Sequence, residues 1–176
     1  MKKYLSIILL GSFILAQNIV ETESYVQFKV RNMGVRDVYG AITGMQGIVD
    51  FSTQNPDSAY FEVTIAVNTI DTENPKRDAH LKNEDFFETD KWPTIKFKSK
   101  KISKQDELYG VFGYLTIKDV TREVFVPFSV EETKDQIIFK GGETINRLDY
   151  NVGVEFDTFK IGNKIDVDVI CVFNKK

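Results

Sequence analysis

Residues 60–67 read YFEVTIAV, and the alternation in that stretch decides the fold. Successive side chains of an extended chain point to opposite faces. Phe61, Val63, Ile65 and Val67 therefore share one face, and Tyr60, Glu62, Thr64 and Ala66 the other. The pattern stops at residues 71–87, DTENPKRDAHLKNEDFF, a polar segment that can form a helix. The chain's only histidine, His80, lies there close to Arg77 and Asp78, and Asn74 is placed to cap a short helix with Pro75 at its first position. Alternation resumes after Trp92-Pro93, where Ile95 and Phe97 face away from Lys96 and Lys98. The insert thus interrupts a run of strands, and it is expected to close one mouth or edge of the shell they build.

Toward the N-terminus, Val26, Phe28 and Val30 alternate with Tyr25, Gln27 and Lys29, and Gly34 marks a bend. Residues 35–40 and 45–51 are further strand material, cut by Gly40, Gly44 and Gly47 as a sharply curved sheet requires. Toward the C-terminus, residues 108–117 continue the pattern. Val124, Val126, Phe128 and Val130 follow, and Pro127 among them predicts a strand end, a bulge or a locally unpaired edge. Residues 137–140 and 144–156 read as two strands split by Gly141-Gly142, and Gly162-Asn163 as a turn. In the last strand, 164–173, Ile165, Val167, Val169, Cys171 and Phe173 share a face.

Many short strands joined by tight turns indicate an all-β architecture. Apolar on one face and charged on the other, they predict a soluble antiparallel up-and-down barrel of eight strands with one short helical insert near 76–87. Such a barrel is just wide enough to be filled by side chains or to hold one small ligand. A barrel facing lipid would carry its apolar residues outward, and the Lys, Glu and Asp at strand centres argue against that.

Residues 1–16 are set apart. Lys2 and Lys3 precede an apolar run that ends at Ala16, which has the form of a secretory signal peptide and is shorter than the roughly 20 residues a membrane helix needs. Cleavage after Ala16 leaves residues 17–176 as one domain, expected to be soluble and periplasmic or secreted, without a permanent membrane anchor. It also removes two cations from a chain of net charge −3, so phosphate backbones are repelled and nucleic acid is not an expected partner. One cysteine excludes an intrachain disulfide, and one histidine with one cysteine falls short of a usual zinc ligand set. Cys171 reads as a small buried apolar residue.

Specific motifs lie along this pattern. Ser24, Val26, Phe28 and Val30 lead to Asn32 and Gly34. Ile70-Asp71-Thr72 and Asn74 precede Arg77-Asp78-Ala79-His80-Leu81 and Asp85-Phe86-Phe87. Trp92-Pro93-Thr94-Ile95 follows, then Val120-Thr121-Arg122 and Ile145-Asn146-Arg147-Leu148-Asp149-Tyr150. In order and spacing these blocks resemble the YceI family, which usually has Tyr at the position of Trp92. The resemblance implies a lipocalin-like barrel whose lumen holds one isoprenoid or fatty-acyl chain, and it implies no catalytic activity or cofactor.

The inward stripes supply the expected lumen: Phe28, Val30, Phe61, Val63, Ile65, Ile95, Phe97, Val167, Val169 and Cys171. The 14 phenylalanines, most on the inward phase, favour a cavity for an apolar ligand. Arg77, Asp78, His80 and Arg147 have two readings. They form either a polar cap on a ligand headgroup or a clasp, in which Arg77 pairs with Asp78 and reaches Arg147 or Asp149. Three functions stay open: a carrier or reservoir for an isoprenoid-like lipid such as a quinone or its precursor, an enzyme using His80 as acid or base, and a filled structural or stress-related barrel. A homodimer is admitted as a partner.

Overall fold

In the computed structural model, which describes residues 17–175, the alternating stretches pair into one antiparallel sheet. The leader expected at residues 1–16 lies outside the described residues. The strands are β1 (Gln17–Asn18), β2 (Tyr25–Asn32), β3 (Arg36–Ile42), β4 (Met45–Asp50) and β5 (Tyr60–Ala66), followed by β6 (Thr94–Gln105), β7 (Leu108–Ile117), β8 (Val120–Glu132), β9 (Gln136–Asn146) and β10 (Ile161–Asn174). They run in the order β1-β4-β5-β6-β7-β8-β9-β10-β2-β3. From β4 to β10, neighbours in sequence are neighbours in space, and β10 then pairs with β2.

The sheet curls around a lumen without a ladder joining its two edge strands, β1 and β3. Single bridges tie them down instead. Ala41 of β3 pairs with Asp71, and Ile19, just past β1, pairs with Phe173 of β10. The expected closed barrel of eight strands is therefore corrected to a barrel-like curled sheet of ten. Lumen width suggested the number eight, but width does not count strands at an open seam. At that seam the chain leaves β3 and re-enters the sheet as β4, beside the opposite edge strand β1. Gly47 of β4 sits at φ +147°, with Glu62 O where a Cβ would stand, so only glycine permits this approach to β5.

Four other features differ from the sequence reading. The helix, α1, is Pro75–Lys82 rather than 76–87. Asn74 caps it by accepting from Arg77 N, and turns follow it as far as the start of β6. Gly141-Gly142 does not split a strand, because β9 runs through both and pairs with β10 from Gln136 to Asn146. Residues 148–156 are not a strand. Arg147–Tyr150 is a 3₁₀ turn, Asn151 adopts a left-handed conformation, and turns lead on to β10. Gly162-Asn163 then lies inside β10, at a register shift between Ile161 and Ile165, rather than forming the turn itself.

Cross-strand ion pairs such as Lys98–Glu62, Lys100–Glu123 and Lys140–Glu131 decorate the outer face. Among the described residues no helix is long and apolar enough to cross a membrane. The inner face packs into two clusters. Phe51, Phe61, Tyr109, Phe128, Phe139 and Phe173 interlock at one end, with ring centroids such as Phe51–Phe139 at 4.8 Å and Phe139–Phe173 at 4.7 Å. Phe86, Ile117, Tyr150 and Val152 form a smaller cluster under α1.

Candidate functional site

Between the two clusters lies a cavity of about 310 Å³. All ten stripe residues, from Phe28 to Cys171, line it. The period-two arithmetic thus placed the walls, because register fixes which side of every strand faces in. Cys171 on β10 shows the dryness of the wall. Burial pushes the Cys171 thiol up to about 12, against a smaller opposing effect of Ser24, so the thiol is protonated at neutral pH and is not a nucleophile.

The insert reaches the cavity through other side chains than those expected. Leu81, Phe86 and Phe87 line it, whereas Arg77, Asp78 and His80 do not. Arg77 and Asp78 do not pair with each other. They meet on the buried Thr72, whose N–H and Oγ1 both donate to Asp78 Oδ1, at 2.9 and 2.5 Å. Arg77 Nε donates to Thr72 Oγ1 and Nη2 to Thr72 O, each at 2.7 Å. Neither reaches Arg147 or Asp149, so the pairing expected of the clasp is corrected to a clasp on Thr72. The turn residues before the helix need their polar groups satisfied as the chain leaves the sheet, and the first turn of α1 supplies the partners.

His80 Nε2 lies 3.0 Å from Asp85 Oδ2 at the surface, and its ring stands edge-on to Phe86 and Phe156. Phe86 stacks on Phe156 at 5.0 Å, and Gly153 N donates to Asp85 O. The insert is thereby joined to the loop between β9 and β10, and the two together roof one end of the cavity.

Arg147 does line the cavity, yet all three guanidinium nitrogens are occupied. They donate to the carbonyl oxygens of Gly162, Val152, Gly153, Phe156 and Ile161. The side chain is 4% exposed, and burial lowers its pKa. It folds residues 147–161 around itself in place of the strand that the alternation suggested.

Few other polar groups reach the wall. Tyr150 is buried, which raises its hydroxyl pKa and keeps it neutral. Glu143, on the inward phase of β9, is the only carboxylate among the described residues lining the cavity, and sequence reasoning passed over it. Counting the phase outward from Ile145 would have found it. Among the described residues no three His, Cys, Asp or Glu side chains gather as a metal site would require.

Comparison with known proteins agrees with this geometry. The YceI-like domain model matches residues 18–173. A UPF0312 protein of Photorhabdus laumondii is 35% identical over 103 residues, covering 58% of this chain and 54% of the relative. Another from Yersinia enterocolitica is 31% identical over 117 residues, covering 65% and 61%. The chain thus matches only about half to three-fifths of the length of these curated relatives. The crystal structure of BcnA from Burkholderia cenocepacia superimposes with a TM-score of 0.83 at 24% identity, over 88% of this chain and 98% of that one. A polyisoprenoid binding domain from Saccharophagus degradans gives 0.75 at 16% identity, over 92% and 99%. At these identities the superpositions establish the fold.

Proposed function

The chain belongs to the YceI-like domain family, and from that membership we propose that it is a lipid-binding protein that holds one isoprenoid-like or fatty-acyl chain in its lumen, as carrier or reservoir. The observation that carries this reading is the cavity itself, walled by aliphatic and aromatic side chains from nearly every strand. The structurally similar polyisoprenoid binding domain supports the class of ligand.

Magnitudes favour a long chain over a small ligand. Each buried CH₂ contributes about 0.8 kcal/mol. Immobilising a ligand costs an estimated 4 kcal/mol at the very least. One five-carbon unit therefore barely offsets the cost, whereas two or three units leave a usable surplus. A quinone or quinone precursor with such a tail satisfies this arithmetic. Catalysis finds less support, since His80 does not line the cavity.

Delipidated protein titrated with a fluorescent polyprenyl probe is expected to bind one equivalent. Val169→Trp, which fills the lumen, should abolish that uptake. Equal binding by the folded variant would move the ligand out of the lumen, and no binding by either protein would refute the lipid reading.

Export is part of the proposal, on the sequence of residues 1–16. Gln17 supports it: its Oε1 accepts from Phe51 N at 2.8 Å, so a chain starting there is anchored from its first residue. N-terminal sequencing of the exported form should read from Gln17 or a close neighbour. A retained leader would contradict it.

A further inference from the structure

Both ends of the lumen are capped. The aromatic cluster around Phe51 and Phe173 fills one, and α1 with the β9–β10 loop covers the other. The sheet, however, has an open stretch. β8 begins at Val120, yet its ladder to β9 covers only Phe128–Glu132, opposite Gly141–Ile137. Residues 120–127 pair with β7 alone and residues 142–146 with β10 alone.

The gap ends where Pro127, which has no N–H to give, meets Gly141. A Cβ on Gly141 would stand 2.6 Å from Pro127 O, so the strands converge there and separate beyond. At its far end Arg122 Nε donates to Asp149 O at 3.3 Å and Lys118 Nζ to Asn151 O at 3.2 Å. Between these limits lies a window in the wall. Val124 and Val126 border it on one side and Glu143 on the other, all three lining the cavity.

Glu143 belongs to the inward phase, opposite Val167 in the β10 ladder, yet it is exposed. A carboxylate facing a sealed apolar lumen would be costly, and this one is exposed beside the unpaired stretch. Its Oε1 accepts from Thr144 N at 2.8 Å, and its other oxygen has no hydrogen bond among the described residues.

We propose that the lumen opens sideways through this window and that the ligand's polar end rests there against Glu143. The apolar tail lies along the walls, and the free carboxylate oxygen accepts a hydrogen bond from a neutral donor, a hydroxyl or a primary amide. An ionised acid at the same place meets a like charge, whose repulsion is weakly screened beside an apolar wall. The site therefore takes donor-headed lipids and rejects fatty acids and other anionic ends. The inference rests on the lipid-binding reading.

The test uses farnesol and farnesoic acid, which share a tail and differ at the polar end, titrated into the full protein at pH 7.5. Wild type should prefer the alcohol by about tenfold or more, as expected for like charges a few ångströms apart at the protein surface. Glu143→Gln should bring the ratio toward one by raising affinity for the acid, and Glu143→Lys should reverse it. Equal binding of both probes by wild type, or a preference that neither substitution changes, overturns the placement at Glu143 and leaves the lumen reading standing. Failure of both probes to bind any of the three proteins overturns the lumen reading itself.

Discussion

Arg147 shows how one residue can look functional in sequence and serve the fold in space. An arginine near a cavity invites a headgroup role, but this one spends its donors on five backbone carbonyls. Replacing it with Met should strand those acceptors in a buried setting. The expected loss is on the order of 3 kcal/mol, read as a lower midpoint of denaturant unfolding. An unchanged midpoint would show that the loop needs no such centre. The wall residues were legible in the sequence because a strand's period of two assigns each of them a side without knowledge of the rest. Arg147, Leu81 and Phe86 were not legible in that way. Their positions depend on turns whose course follows from long-range hydrogen bonds, and a turn has no period to read.

Among the elements, α1 and its lead-in act as a clasp. Thr72 is held by Arg77 and Asp78, and the helix in turn positions Leu81, Phe86 and Phe87 over the cavity. Asp78→Ala removes the acceptor of the buried Thr72 amide, which should cost about 1–3 kcal/mol of stability. His80→Ala breaks only a surface pair with Asp85 and should leave thermal unfolding and probe affinity nearly unchanged. Paired thermal melts and probe titrations distinguish them, and a His80 variant that loses affinity while keeping its stability would return the headgroup to this mouth. The insert was legible from its polarity and its Asn-Pro start, and its C-terminal limit was not. Asn83, Asp85 and the turns after Lys82 carry residues compatible with helix. The backbone bonds Phe87 N to Leu81 O and Thr89 N to Lys82 O turn the chain back instead. Residues 148–156 misled for the opposite reason. Their alternation is real, but Tyr150 and Val152 face inward from a turn wrapped around Arg147 rather than from a strand.

At the scale of the whole molecule, a sheet that curls without laddering its edges encloses an apolar space closed at both ends by aromatic packing. The all-β class and the inward phase were legible from alternation alone. The strand count and the window between β8 and β9 were not, since both depend on which strands stop pairing and where. Pro127 was the one local sign of an unpaired edge. A protein that only needed a stable core would fill this space with side chains, because close packing stabilises and a void does not. The space is therefore the feature that best supports the proposed lipid. Mass spectrometry of organic extracts from the purified protein tests this most directly. One prenyl or acyl lipid per chain is predicted, absent from a folded Val169→Trp variant. Lipid-free protein that takes up no such lipid when offered it would contradict the account.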